Sequence, residues 1–203
     1  MKEIIQKLEE SEKVLVGIGS EWKGASYDDL YEILKDRDYF IVTTNVDARI
    51  YQSALDPSRI VAPCGNETWR QCSKSCTKDI WEPGEIPDDI CPHCHAPLTG
   101  NTIEAETYIE EGYLPQWEAY KQWLTGTLNR KLVILELGVS FKAPTVIRWP
   151  FEKTAFFNQK SYFYRVNEKF YQITEELKER ACGVQENSVE FIRKLREHNS
   201  AKG

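Results

Sequence analysis

The chain has 203 residues, a formal net charge of −6 and 41% hydrophobic residues. These values suit one domain, or one domain with a small insertion, and exclude an intrinsically disordered chain. The acidic balance and the lack of a long basic run argue against nucleic acid as a partner. Since the sequence shows neither a membrane span nor a signal peptide, we expect a cytoplasmic protein with no membrane partner.

Apolar periodicity predicts short strands that alternate with helices. Helical spacing covers 2–12, 28–35, 46–55, 113–129 and 188–197, and strand-like apolar runs cover 14–16, 39–43, 60–62, 132–137 and 162–166. The alternation predicts an α/β fold with a Rossmann-like parallel sheet and helices on both faces. The polar segment 64–112 interrupts it. We therefore expect a small inserted module at 64–112 and a Rossmann-like domain formed by 1–63 and 113–203.

Four cysteines of the polar segment are spaced like the ligands of a zinc site. Three residues separate Cys72 from Cys76, two separate Cys91 from Cys94, and fourteen lie between the pairs. Two such pairs supply the four thiolates of a closed structural zinc site, whose metal would replace the core that the segment lacks. His93 or His95 could replace one ligand. The alternative is four free or disulfide-paired cysteines, which a reducing cytosol makes the weaker interpretation.

Two further positions admit both a functional and a structural interpretation. Cys64 follows the strand-like run IVAP and precedes Gly65, at the kind of strand exit where α/β proteins place their sites. A lone cysteine is, however, usually a small buried apolar side chain. Asn45 and Asp47 follow the second strand, where they could bind a ligand or cap the helix expected after them.

Six segments, in order and over most of the chain, resemble those of the sirtuin family. They are VLVGIGSEW (14–22), TTNVDARIYQSAL (43–55), Cys64 with Gly65 in the place of the family's His-Gly, the two cysteine pairs, LELGVSFKAP (135–144) and YRVN (164–167). The resemblance implies a Rossmann-type domain that binds NAD or ADP-ribose, a small zinc module, and a site in the cleft between them.

The resemblance also assigns roles to individual residues. Asn45 and Cys64 take the catalytic positions, and Asp47 would bind the nicotinamide carboxamide. The cofactor-binding residues that it implies are Gly17, Gly19, Ser20, Asn45, Asp47, Gly138, Ser140 and Asn167. The glycines would let the backbone approach a pyrophosphate, and the N–H groups of the turn after them would receive its charge.

Departures from the family pattern bear on function. Cys64 stands where the family has its histidine base, and a thiol is mostly protonated at neutral pH. Glu21 stands near the phosphates, where the family has a serine, and would repel them unless it turned outward or paired with Lys23 or Arg148. The mobile cofactor loop is reduced to a few residues after Gly19, and the family's Phe-Gly-Glu segment is missing.

These departures resemble a microbial sirtuin branch that is linked to macrodomains and associated with protein ADP-ribosylation. The first hypothesis is therefore an NAD-dependent ADP-ribosyltransferase or deacylase-type enzyme with weak or no deacetylase activity. The second is an inactive pseudoenzyme that binds NAD or ADP-ribose. The sequence names neither an acceptor nor an acylated protein.

Overall fold

The computed structural model describes residues 1–200, and these residues form one sheet of six strands and one of three. The larger sheet contains β1 (Lys13–Ile18), β2 (Tyr39–Thr43), β3 (Ile60–Val61), β7 (Leu132–Leu137), β8 (Ser161–Val166) and β9 (Ala181–Val184). Every pairing in it is parallel, in the order β3-β2-β1-β7-β8-β9. The order reverses between β1 and β7, and in doubly wound folds ligands bind at such a reversal.

Helices cover both faces of the large sheet. The helices are α1 (Lys2–Glu10), α2 (Asp28–Leu34), α3 (Leu114–Thr125), α4 (Arg148–Phe157) and α5 (Ser188–Ser200). Residues of α1, α2 and α5 share one apolar cluster with Val14 and Val16 of β1, whereas α3 and α4 pack with Leu15 from the opposite face. Since successive side chains of a strand point to opposite faces, β1 is buried on both sides. The predicted fold class, a Rossmann-like sheet covered by helices, is confirmed.

The smaller sheet consists of β4 (Gly65–Cys72), β5 (Ile80–Trp81) and β6 (Leu98–Thr102), all antiparallel. Its apolar cluster contains only Cys72, Trp81, Cys91 and Ala96 as fully buried members. Half of this core is therefore cysteine, as expected for a segment that relies on something other than apolar packing.

The segment 46–55, predicted to be helical, forms only the short 3-10 turn Arg49–Gln52. Ala48 before it has φ +57, a left-handed conformation that interrupts helical hydrogen bonding. The sequence prediction was wrong here because Tyr51 and Leu55 pack against the core four residues apart, a spacing that also suits a helix. Conversely, the sequence predicted neither α4 nor β9. Pro150 lies in the first turn of α4, and a proline weakens the helical signal of a sequence. β9 is a short edge strand whose residues are half-buried.

Candidate functional site: a nucleotide cleft and a four-cysteine cluster

The carboxyl ends of β1 and β7 are in direct backbone contact. Gly19 N donates to Leu137 O at 2.9 Å, and a β-carbon at Gly19 would overlap the backbone of Gly138 and Val139. Gly138 has φ +63, and a β-carbon there would lie 2.5 Å from Glu21 Cβ. Both glycines are thus required for two strand-end loops to meet at the point where the sheet order reverses.

Gly17 lies inside β1, and a β-carbon there would overlap Ile147 and Phe151 of the α4 side. Its missing side chain therefore makes room for core packing. The exposed Ser20, by contrast, begins the 3-10 turn directly after Gly19, at the edge of the cleft.

The loop after β1 is short and firmly packed. Trp22 is buried, stacks on Tyr27 with ring centroids 5.7 Å apart, and donates from Nε1 to Ser26 O at 3.1 Å. Gly24 N donates to Asp47 Oδ2 at 3.0 Å, and the Arg49 guanidinium donates to Gly24 O. The reduced loop is therefore pinned to the end of β2 and does not form a long lid.

Asn45 lies at the end of β2 with an unused donor. Its backbone N–H donates to Thr43 Oγ1 at 3.0 Å, but its side-chain Nδ2 is buried without a hydrogen-bond partner, and so is the Tyr27 hydroxyl. Burial raises the pKa of Tyr27 to about 12 even though the Asn45 amide beside its hydroxyl lowers it, so the hydroxyl is neutral and the two side chains are neighbours, at a geometry short of a formed hydrogen bond. Buried polar groups normally have partners, so these two orphaned groups fit a ligand oxygen, such as a ribose hydroxyl.

Asp47 uses both carboxylate oxygens within the chain. Oδ2 accepts from Gly24 N, and Oδ1 accepts from Arg49 N at 3.3 Å. The side chain thus holds two loops together in this structure. Recognition of a carboxamide by Asp47, as the resemblance implies, would need one of these contacts to be shared or exchanged.

Asn167 and Ser140 lie on the β8 and β7 sides of the cleft. Asn167 is buried, donates from Nδ2 to Val139 O at 3.1 Å, and accepts from Lys169 N and Phe170 N at 2.8 Å. Ser140 Oγ accepts from Lys142 N at 3.3 Å. The Asn167 side chain therefore shapes the neighbouring loops, and Ser140 is the more accessible of the two.

Glu21 adopts neither of the expected arrangements. Its Oε1 accepts from Glu168 N at 3.0 Å and its Oε2 from Ser188 N at 3.2 Å. It pairs with neither Lys23 nor Arg148. Arg148 donates instead to Glu136 Oε1 at 3.1 Å. The carboxylate turns inward, toward the first residue of α5.

Cys64 lies at the junction of the two sheets, between β3 and β4. It is 4% exposed, and burial raises the pKa of its thiol. Its carbonyl accepts from Ile103 N at 3.0 Å, and Gly65 after it has φ +92 with no room for a β-carbon beside Asn101. A neutral, buried thiol cannot serve as a general base at neutral pH.

The four predicted metal ligands come together. The Sγ atoms of Cys72, Cys76, Cys91 and Cys94 all lie within 4.8 Å of one another, with Cys72 and Cys94 at 3.5 Å and Cys76 and Cys91 at 3.5 Å. Tetrahedral zinc with Zn–S bonds of about 2.3 Å separates its sulfur ligands by about 3.8 Å, so the cluster fits this ion. All four are free cysteines, which disfavours the disulfide alternative.

The two histidines beside the second cysteine pair lie outside this cluster. His93 Nε2 is 2.9 Å from Asp79 Oδ2, and His95 is exposed with φ +58. The cluster therefore consists of thiols alone, as expected for a closed site without an open coordination position.

Sequence reasoning missed a buried ionic network behind the cleft. Arg165 donates from Nε to Glu136 Oε1 at 2.7 Å and from Nη2 to Glu136 Oε2 at 2.9 Å, and Arg148 donates to Glu136 as well. Arg148 also donates to Phe170 O at 2.9 Å, which fixes the loop after β8. The only signal was a glutamate within the apolar run of β7 and an arginine within β8, both in strands buried on two faces.

Comparison with known proteins finds relatives whose names refer to ADP-ribosylation. No protein-family model matches the chain. Over 187 residues it is 25% identical to "Protein ADP-ribosyltransferase" of Staphylococcus aureus, and the match covers 83% of this chain and 59% of the relative. Over 141 residues it is 26% identical to "Probable bifunctional ADP-ribose hydrolase/ADP-ribosyltransferase" of Fusarium oxysporum, with 57% of this chain and 23% of that protein covered. The chain thus spans less than two thirds of the first relative and under a quarter of the second.

The solved structures that resemble this chain share its fold and are Sir2 proteins. A structure of Sir2Tm bound to a propionylated peptide matches with a TM-score of 0.65 and 14% identity, covering 98% of both chains. A Sir2 homologue in complex with ADP-ribose matches with a TM-score of 0.67 and 13% identity, covering 98% of this chain and 96% of that one. The chain has the Sir2 sirtuin fold, and the resemblance seen in the sequence is confirmed at this level.

No helix among residues 1–200 combines the length and the apolar character that a membrane span requires.

Proposed function

We propose that this protein binds NAD at the carboxyl edge of its large sheet and transfers ADP-ribose from NAD to an acceptor protein. The observation that carries the proposal is the buried, unpartnered Asn45 amide nitrogen at the end of β2, within a sirtuin fold. The names of the two relatives support the same reaction class. A donor at this position suits a ribose hydroxyl.

The proposed ADP-ribosyl transfer does not depend on a strong general base. In the transfer, the bond between the ribose carbon and the nicotinamide nitrogen breaks, nicotinamide leaves with the electron pair, and an acceptor nucleophile bonds to the same carbon as it loses a proton. Because the reacting carbon resembles an oxocarbenium ion, positioning and electrostatics can supply much of the rate. Asn45 would orient the ribose. Cys64, neutral and buried, would take no proton, so we propose little or no deacylase activity.

The test combines binding and turnover on one sample. Calorimetric titration with NAD, ADP-ribose and nicotinamide is followed by an assay of nicotinamide release. We expect NAD and ADP-ribose to bind, nicotinamide to be released, and Asn45→Ala to weaken both binding and release by roughly tenfold, about one lost hydrogen bond. Gln122→Ala, on the exposed surface of α3, is the matched control and should change neither. Undiminished binding by Asn45→Ala would contradict the assignment.

A second candidate function is supported by the two carboxylates of the cleft. Asp47 and Glu21 already accept backbone N–H donors of the chain itself. A cleft stabilised in this way suits a pseudoenzyme that binds NAD or ADP-ribose without turnover. Binding without any release of nicotinamide would favour this candidate over the transferase.

The four-cysteine cluster is proposed as a structural zinc site, separate from the reaction. Zinc there would supply folding energy to the small sheet, since the cluster offers four thiol ligands and no open position.

A further inference from the structure

Glu21 occupies the crevice in which a nucleotide would place its charge. The residue lies in the 3-10 turn Ser20–Trp22 directly after β1, and its backbone N–H donates to Gly138 O, beyond the end of β7, at 3.3 Å. β1 and β7 are the two strands between which the sheet order reverses. In doubly wound folds this crevice receives the ligand.

The Glu21 carboxylate uses the donors that an anion would seek. It accepts from Ser188 N, in the first turn of the thirteen-residue helix α5, and from Glu168 N in the loop after β8. The first turn of a helix carries partial positive charge, which makes it favourable for phosphate. Asn187 Oδ1 already accepts from Val189 N and Glu190 N, which leaves Ser188 N as the first-turn donor that Glu21 takes. Here a side-chain carboxylate has taken that position.

Glu21 and Ser188 fill the space beside Gly138, and the Ser188 hydroxyl is left without a hydrogen-bond partner. Gly138 has no β-carbon, and one would lie 2.5 Å from Glu21 Cβ and 2.7 Å from Ser188 Oγ. The Ser188 hydroxyl is fully buried and has no hydrogen-bond partner. A buried hydroxyl without a partner, beside a held carboxylate, indicates a pocket that is complete only when a further polar group enters it.

We propose that Glu21 is an internal anion that sets the ligand specificity of this cleft against pyrophosphate. Nucleotides that carry a pyrophosphate must displace the carboxylate or tolerate its repulsion, whereas an uncharged nucleoside meets no such penalty. The inference rests on the proposed nucleotide-binding function. It identifies Glu21 as the residue that limits the affinity for NAD and ADP-ribose.

The experiment removes the charge and compares a charged with an uncharged ligand. Wild type, Glu21→Gln, Glu21→Ser and Glu21→Asp are titrated calorimetrically with ADP-ribose and with adenosine. We expect Glu21→Gln and Glu21→Ser to bind ADP-ribose about tenfold more tightly than wild type, with adenosine affinity changed less than about twofold. Glu21→Asp keeps the charge and should bind like wild type. The difference should shrink at high salt, because screening weakens charge repulsion.

Glu176→Gln is the control for net charge. Glu176 is exposed and lies in the 3-10 turn before β9, at the opposite edge of the sheet from the cleft. It should leave both affinities unchanged. Circular dichroism melting checks each variant, and Glu21→Ser, which is smaller, replaces Glu21→Gln if the glutamine does not fit.

The outcomes separate the inference from the proposed function. If wild type binds ADP-ribose and the two neutral variants bind it no more tightly, the function stands and the inference is overturned. An equal gain for adenosine would also overturn it, because the effect would then not depend on phosphate charge. Binding by the neutral variants alone would support the inference and count against nucleotide binding by the wild type. If no variant binds ADP-ribose, both are wrong.

Discussion

Cys64 is nearly excluded from solvent, and its burial bears on the proposed reaction. Burial raises the pKa of the thiol, so that its neutral form persists at physiological pH. Deacylation by sirtuins, as the resemblance implies, relies on a base that activates a ribose hydroxyl. A thiol with a raised pKa is a poor substitute for imidazole, which titrates near neutrality.

We predict that wild-type protein has negligible activity on an acetyl-lysine peptide, and that ADP-ribosyl transfer survives Cys64→Ala within roughly tenfold, about 1.4 kcal/mol of barrier. Its pH profile between about 6 and 8 should show no step assignable to Cys64, since the thiol titrates above this range. The measurement is the initial rate of nicotinamide release against pH for both proteins. A loss of several orders of magnitude in Cys64→Ala would instead identify Cys64 as nucleophile or base.

Gly138 shows how a single missing side chain shapes the cleft. The residue has φ +63, and the space of its β-carbon is taken by Glu21 and Ser188. An alanine there would be strained in its backbone and would also overlap its neighbours.

We predict that Gly138→Ala lowers the free energy of unfolding by about 2–4 kcal/mol, measured by urea denaturation. Gly84→Ala is the matched control: Gly84 has φ +78, and nothing lies within 4 Å of its β-carbon position. It should lower the free energy of unfolding by only about 1 kcal/mol, because alanine there is strained in its backbone but overlaps no neighbour. Equal losses in the two variants would show that crowding beside Glu21 has no energetic effect.

At the scale of elements, the small sheet has the smallest apolar cluster of the structure, so apolar packing contributes least to its stability. Only Trp81 and Ala96 join two cysteines in its buried cluster. The stability of β4, β5 and β6 should therefore depend on metal, and that of the large sheet should not.

We predict one zinc per chain by elemental analysis of protein purified without added metal. Cys72→Ser should lose the zinc and destabilise the small sheet by several kcal/mol, because metal-binding energy there is folding energy. The difference in tryptophan fluorescence between the wild type and Trp81→Phe isolates the signal of the buried Trp81, which reports this change together with melting by circular dichroism. Cys182→Ser, in β9 and outside the cluster, should keep the metal. A metal-free protein whose small sheet is folded, with an unchanged Trp81 difference signal and an unchanged melt, would contradict the prediction.

The elements that the sequence predicted are those with one strong signal. The apolar runs of β1, β2 and β7 identified the parallel sheet, and cysteine spacing identified the four-cysteine cluster. The turn at 49–52 could not be predicted, because its apolar spacing also suits a helix. Neither could the inward turn of Glu21, whose partners Glu168 and Ser188 lie far along the chain. Such contacts arise only once the strand order is fixed.

At the scale of the whole molecule, one buried ionic network connects the sheet to the loops of the cleft. Glu136, in the centre of β7, receives hydrogen bonds from Arg165 and Arg148, and all three side chains are almost fully buried. Arg148 continues to Phe170 O in the loop after β8. Arg165 also pairs with Glu152 Oε1 at 2.8 Å, so loss of Glu136 would leave Arg165 with one carboxylate and Arg148 with none.

We predict that Glu136→Gln lowers the free energy of unfolding by about 3 kcal/mol, because buried Arg148 loses its carboxylate and buried Arg165 keeps only Glu152. The matched control is Glu12→Gln, which removes a surface ion pair with Arg130 at 3.0 Å and should lower the free energy of unfolding far less, because the pair is exposed to solvent. Urea denaturation at neutral pH measures both variants. Similar losses for the two would show that the buried network contributes no more than a surface pair.

The central strand pair also has a consequence for the order of events during synthesis. Lys13 of β1 lies opposite Leu132 of β7, so the sheet closes only when two distant parts of the chain meet. Contacts of this sequence separation slow folding, because a long loop must be closed first. On the ribosome, β1, β2 and β3 emerge early, and the edge of β1 that pairs with β7 stays unpaired until β7 has been synthesised. An unpaired apolar edge is a template for pairing with another chain. The inserted small sheet is made during that wait, so any delay in its folding lengthens the period in which the nascent protein is open to aggregation.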